Sequence, residues 1–198
     1  MTIHAQGYSR KVEPNRAGKR QILLETALRL FNEHGYANVG VDWIVSEAKI
    51  AKPTLYSHFG TKNGLIEEVL KLRDENFVSS LQSYVDQAPQ GALTKVGAIL
   101  EWYKNGFTKP NFFGCMFIKA SEEFGNSNAN ISEIIKQHKD SIYKIIYAAI
   151  LPEYDDKTED IAVLILILLE GLIVNYNMYG SLKPFDVATE TVRKLLLR

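Results

Sequence analysis

The side chains best placed to do chemistry in this chain lie close together, in the string Ala51-Lys52-Pro53-Thr54-Leu55-Tyr56-Ser57-His58-Phe59-Gly60-Thr61-Lys62. Cationic, hydroxyl and imidazole groups alternate there with apolar ones, a mixture of hydrogen-bond donors and acceptors. Pro53 suits the first turn of a helix, where its missing N–H would have been unsatisfied anyway. Leu55 and Phe59, four apart, give that helix an inward face. Lys52, Thr54, Tyr56, Ser57 and His58 are then left to face outward. Just upstream, Val41, Ile44, Val45 and Ala48 put apolar groups on one face of another short helix, and Lys49-Ile50-Ala51 turns the chain between the two. A short polar helix braced by a second suits the DNA major groove, which admits one α-helix and displays a distinct donor and acceptor pattern for each base pair.

The string Ala51 to Lys62 resembles the recognition-helix signature of the TetR/AcrR transcriptional regulators. The wider match runs from a first helix, Gly18 to His34, through Gly35-Tyr36 to Leu65 and Ile66, about a quarter of the chain. The order T-L-Y-x-H-F followed by Lys is specific to it. Two positions depart from the family pattern. Lys49 stands where Gly is usual in the turn, and must either adopt positive φ or alter the turn, at about 1 kcal/mol. Ala51 stands where Ser or Thr usually caps the recognition helix, forgoing about 1 kcal/mol.

The resemblance implies an all-α protein of about nine helices. Its amino-terminal three-helix unit would be a helix-turn-helix DNA-binding domain, and its carboxyl-terminal helical bundle a ligand-binding and dimerisation domain. The implied division is a flexible basic arm over 1–14, the DNA-binding domain over 15–61 and the body over 62–198. Carried over by position, Lys52, Thr54, Ser57 and His58 would meet base edges or the groove, Pro53 opens the reading helix, and Tyr56 and Lys62 would meet phosphates. Lys62 also sits at the start of the next helix, where backbone N–H groups favour an anion. Gly40 occupies a position where the family often has Thr or Ser on a phosphate, so the contact there would come from backbone. The implied partner is a double-stranded, palindromic DNA operator and the implied host a prokaryote.

Composition narrows the alternatives. Of 198 residues, 46% are hydrophobic and 23% charged, and Lys plus Arg balance Asp plus Glu at 23 each. The balance hides an asymmetry: residues 1–64 hold nine Lys/Arg against five Asp/Glu, and the remainder is acidic. Arg10, Lys11, Arg16, Lys19 and Arg20 are candidates to reach phosphates or the minor groove, with an ordinary solvated basic face as the plain alternative. The single cysteine, Cys115, excludes an internal disulfide framework and fits a reducing compartment. Residues 1–20 show no apolar signal-peptide core, and the apolar run Ile161 to Leu169 is stopped by Asp160 and Glu170, so a cytoplasmic protein without a membrane span is expected. The four histidines are scattered without ligand spacing, and no metal motif, phosphate loop or nucleophile elbow is present. Neither an enzyme, a metal site nor a bound cofactor is expected.

Helical periodicity extends through the rest of the chain. A first helix is expected over about 15–34, with Ile22, Ala27, Leu30 and Phe31 inward and Gly35 as its cap. A fourth runs over about 62–87, with Leu65, Val69, Leu72 and Leu81 buried, and would reach about 37 Å. Later helices are expected over about 92–108, 112–124, 130–151, 158–179 and 185–197, with Pro152 to Lys157 forming a turn. The eighth is apolar nearly all round: Leu164, Ile165, Leu168, Leu172 and Tyr176 make one face, and Val163, Leu166, Ile167, Ile173 and Val174 cover much of the remainder. Such a helix must be buried on more than one side. Burial against a second copy, together with Phe185, Ala188, Val192, Leu195 and Leu196 of the ninth, predicts a homodimer through helices 8 and 9, with the central helix of a monomeric bundle as the alternative.

The body is rich in aromatic side chains, most of them core. A pocket for an apolar or aromatic small-molecule effector would draw its wall from Trp102, Tyr103, Phe107, Phe113, Met116, Phe117, Tyr147, Glu170 and Tyr176, with Glu122, His138 and Asn175 as further polar candidates. The resemblance implies a repressor that such an effector releases from its operator through the long fourth helix. The rival reading is a DNA-bound dimer whose body engages a protein partner instead. Cys115, in an apolar setting, reads as a small buried hydrophobe before it reads as a redox sensor. Trp43 has no clear role from sequence.

Overall fold

The computed structural model describes residues 15–125 and 127–197, whose regular elements are all helices. The arm expected over 1–14, with Arg10 and Lys11, lies outside the described residues. The order is α1 (Arg16–His34), α2 (Val41–Ala48), α3 (Lys52–Phe59), α4 (Lys62–Asp86), α5 (Ala92–Phe107), α6 (Met116–Phe124), α7 (Ala129–Tyr154), a 3-10 turn (Asp155–Lys157), α8 (Thr158–Tyr179) and α9 (Lys183–Leu196).

Local chemistry sets the ends that position the amino-terminal unit. Asn15 Oδ1 accepts from the Gly18 N–H at 2.9 Å and opens α1, and Gly35 closes it at φ 79. Thr61 Oγ1 accepts from the Gly64 N–H at 3.0 Å and opens α4. Gly64 also has a steric role. A β-carbon there would stand 2.2 Å from the Phe59 carbonyl oxygen, so glycine is what lets α4 start hard against the end of α3.

Four expectations need correction. The inward face of α1 carries Leu23 and Leu24, whereas Ile22 is only half-buried, as is Leu72 on α4. α6 starts at Met116 rather than 112, because Gly114 holds φ 89 and interrupts the helical path. α7 continues through Pro152 to Tyr154. Proline in a last turn removes one hydrogen bond but has a helical φ of its own, so it need not stop a helix that tertiary packing holds. α9 begins at Lys183, with Pro184 in its first turn.

Two hydrophobic cores share α4. The first joins Leu23, Phe31, Tyr36, Ile44, Leu55 and Phe59 to Leu65, Ile66, Val69 and Leu70, and takes in Met116, Phe117 and Ala120 of α6 and Ile131 and Ile134 of α7. The second runs from Leu81 and Val85 through α5 and α7 to α8 and α9. Packing changes hands midway along α4, between Leu70 and Leu81.

The eighth helix presents its faces differently from expectation. Ile161, Ala162, Ile165, Leu169, Leu172 and Ile173 are buried within the bundle. Leu164, placed on that face from sequence, is exposed instead, in a second row with Val163, Ile167, Val174 and Met178. As a whole α8 is long and apolar enough to cross a membrane, which the shorter run read from sequence was not. Its Glu170 pairs with Lys139 of α7 at 2.8 Å, which is the chemistry of a bundle helix. On α9, Phe185, Ala188, Val192 and Leu196 are all buried in the second core of their own chain, so that face is not free for a partner.

Candidate nucleic-acid interface and effector cavity

Leu55 and Phe59 hold α3 to the first core, and the opposite face is open. Lys52, Pro53, Tyr56 and Ser57 are exposed, and Thr54 is half-buried. Tyr56 is 42% exposed. His58 is turned partly inward. Its Nε2 is enclosed with no hydrogen-bond partner and its ring lies 5.9 Å from that of Phe59, so at most its Nδ1 edge faces a groove.

The turn between α2 and α3 takes the strained option. Lys49 sits at φ 55, ψ 41, with its N–H bonded to Ser46 O, while the Ile50 N–H reaches Val45 O at 3.0 Å. α3 opens at Ala51 with no side-chain cap. Lys52 Nζ lies 2.7 Å from Asp42 Oδ1 on α2, and that hydrogen bond raises its pKa. In this state the ammonium is held between the two helices and would have to swing to reach DNA. Ser57 Oγ donates to Thr54 O at 3.0 Å within its own helix. Gly40 caps α2 in extended backbone, exposed, with no atom within 4 Å of a would-be β-carbon. Trp43, 42% exposed, lays its ring 4.8 Å from His34 at the end of α1, which answers where it packs.

Lys62 behaves otherwise than a free phosphate donor. Its Nζ donates to Tyr36 O at 2.6 Å, and partial burial lowers its pKa. It ties the start of α4 to the α1–α2 loop. Tyr36, buried completely, is the centre of this junction. Its hydroxyl donates to Met116 O at 2.9 Å, and burial pushes that hydroxyl's pKa far up. The Tyr36 and Ala37 N–H groups donate to the Glu123 carboxylate at 3.0 and 2.5 Å. Lys119 Nζ donates to Asn32 O at 2.9 Å, and Asn32 Nδ2 to Asn111 O at 3.2 Å. Thus α6 and the segment before it grip the end of α1 and the loop that follows.

Behind that grip lies a cavity of about 450 Å³ between α4, α5, α6, α7 and α8. Six of the sequence-derived wall residues line it: Trp102, Tyr103, Phe107, Met116, Phe117 and Glu170. Phe113, Tyr147 and Tyr176 do not. Tyr176 stands one layer out, stacked 5.2 Å from Phe107, and Tyr147 pairs with Tyr143 at 5.8 Å. Glu122 and Asn175 are likewise absent from the wall, whereas His138 is part of it. Its ring stacks on Phe117 at 3.5 Å, and Nδ1 lies 2.7 Å from Asp74 Oδ1. Burial pushes the imidazole down to about 4 against the pull of Asp74. Neutral at pH 7, it donates its Nδ1–H to that carboxylate.

Sequence reasoning missed the contribution of α4: Arg73, Asn76, Phe77 and Ser80 all line the cavity. The signal was present. Ile66, Leu70, Phe77 and Leu81 form an apolar row at helical spacing, and Arg73 falls in its middle. A cation within an apolar stripe is a candidate for a buried role.

The family model for bacterial regulatory proteins of the tetR family matches residues 23–69, the span of the first core from α1 into α4. The HTH-type transcriptional regulator YuxN of Bacillus subtilis (strain 168) is 26% identical over 156 residues, 78% of this chain and 52% of that protein. The HTH-type transcriptional activator FasR of Mycolicibacterium smegmatis is 34% identical over 88 residues, 41% of this chain and 40% of that protein. The chain thus spans about half the length of the curated relatives it matches. Among solved structures, SCO4454, a TetR-family transcriptional regulator from Streptomyces coelicolor, superposes with TM-score 0.82 at 23% identity, covering 91% of this chain and 96% of that one. The helix-turn-helix segment over residues 23–69 thus matches the tetR family of bacterial regulatory proteins, and it is set on a carboxyl-terminal bundle with the fold of SCO4454.

Proposed function

We propose that the protein is a sequence-specific, cytoplasmic transcriptional repressor that binds a palindromic operator as a homodimer and is released by a small organic effector. The open face of α3 carries this reading: Lys52, Thr54, Tyr56 and Ser57 stand on a helix whose other side is locked into the core. Thr54, Ser57 and Lys52 are assigned to the groove, and Tyr56 and the Gly40 backbone to phosphates. Lys62 is reassigned to holding α4 in register, its remaining donors being available to a phosphate. The outer row of α8, with Ile167 60% and Met178 67% exposed, supports the second copy.

Release would act through α6. Met116 and Phe117 line the cavity, and the same helix holds Tyr36 and Ala37 through Met116 O and Glu123. An occupant that prefers one placement of α6 biases the placement of the DNA-binding unit. A hundredfold loss of operator affinity requires about 2.7 kcal/mol of differential binding. A cavity of about 450 Å³ falls within the ordinary range for small ligands and favours such an effector over a protein partner.

Selection of bound sites from random duplexes tests the core of the proposal. The expected product is an inverted repeat whose half-sites are about 34–36 Å apart, one helical turn. Enrichment of a lone half-site, or no enrichment over bulk competitor, would defeat it.

A further inference from the structure

The cavity wall carries three cations, Arg73, Lys109 and Lys139, against one carboxylate, Glu170. Lys139 and Glu170 satisfy one another at 2.8 Å, Lys109 is exposed to solvent, and His138 is neutral and bonded to Asp74. Arg73 is different. It stands in the apolar row of α4, half-buried, and lines the cavity. Its guanidinium lies 5.9 Å from the Phe77 ring centroid, and among the described residues it makes no ion pair with a carboxylate. Burial lowers its pKa, yet an arginine keeps its proton at neutral pH. A half-buried cation without a counter-ion is disfavoured unless something supplies the anion. The space beside it is walled by Phe77, Trp102, Tyr103 and Phe107.

We propose that the effector is an amphipathic organic anion whose acidic group pairs with Arg73 while its aromatic or aliphatic body lies among Phe77, Trp102, Tyr103 and Phe107. The inference rests on reading the cavity as the effector site. The pairing also explains how occupancy is felt by the DNA-binding unit. Arg73 belongs to α4, the helix that enters both cores, and sits close enough to Tyr36 for the two groups to influence each other's ionisation.

Two dyes test it directly: 8-anilinonaphthalene-1-sulfonate and N-phenyl-1-naphthylamine, which is the same molecule without the sulfonate. Binding to the full chain is followed by quenching of Trp102, with Trp43→Phe removing the other indole. The sulfonate is expected to bind at least ~10-fold more tightly than the neutral dye, the scale of one charge-assisted hydrogen-bonded pair. Arg73→Met should abolish that preference without weakening the neutral dye, and Arg73→Lys should keep part of it. Retained binding of the neutral dye shows that Arg73→Met is folded. Equal affinities in the parent chain, or a preference that survives Arg73→Met, would overturn the anion assignment and leave the cavity reading in place. Failure of both dyes to quench Trp102 would remove the cavity reading and the anion assignment with it.

Discussion

At residue scale, the turn into the reading helix is built from two unfavourable choices. Lys49 occupies the left-handed region at φ 55, and Ala51 opens α3 with no side-chain oxygen. Each costs about 1 kcal/mol relative to Gly and to Ser or Thr at those positions. Neither touches a side chain proposed to read DNA. Lys49→Gly and Ala51→Thr should therefore each raise the thermal midpoint by a few degrees, and together nearly additively if the turn does not rearrange. Calorimetry of the two single variants and the double variant checks this. A drop for Lys49→Gly would mean that its side chain contributes something the turn geometry does not show. Both departures were visible in the sequence, because the residue types conflict with the local backbone they must adopt. The partner of Lys62 was not visible: the Tyr36 carbonyl lies 26 residues away in the chain and meets the ammonium only in the folded protein.

At the scale of elements, the proposed link between cavity and DNA-binding unit runs through α6 as well as through the long α4 marked from sequence. The reason is a set of single contacts from loops. The Glu123 carboxylate accepts from two successive backbone N–H groups beyond α1, and the Tyr36 hydroxyl reaches the first residue of α6. Glu123→Gln keeps the side-chain shape but leaves one oxygen to serve two donors, at a stability cost of about 1–2 kcal/mol. Dye affinity in the cavity should stay within about twofold, since Glu123 does not line it. The effect of a bound effector on operator affinity should shrink. Paired titrations of dye and of operator, with and without the other, measure both quantities. An unchanged coupling would return α4 to the leading role.

For the whole molecule, the partition of apolar surface decides assembly. The buried faces of α8 and α9 are already satisfied within one chain. What is left is the exposed outer row Val163, Leu164, Ile167, Val174 and Met178, the surface proposed to meet a second copy. Gly171 lies in the same row with nothing near its would-be β-carbon, which would let a second helix approach closely. Ile167→Asp should leave the fold of one chain intact, turn a dimer into a monomer in sedimentation, and lower operator affinity by at least a hundredfold by losing one half-site. If the variant stays dimeric, the interface lies elsewhere.

The sequence alone settled the helical class, the existence and most bounds of the elements, and the outward placement of Lys52, Tyr56 and Ser57 on α3, though not that His58 turns partly inward, because helix periodicity, caps and a dense local motif are short-range properties written in consecutive residues. It also showed that α8 needed cover on several sides. Tertiary structure alone decided which face of α8 its own bundle covers, that the apolar face of α9 is used internally, that Tyr176 stands behind the cavity wall, and that Arg73 stands in it. Those outcomes depend on how helices rotate and cross when several apolar stripes compete for the same partners. No single stripe contains that information.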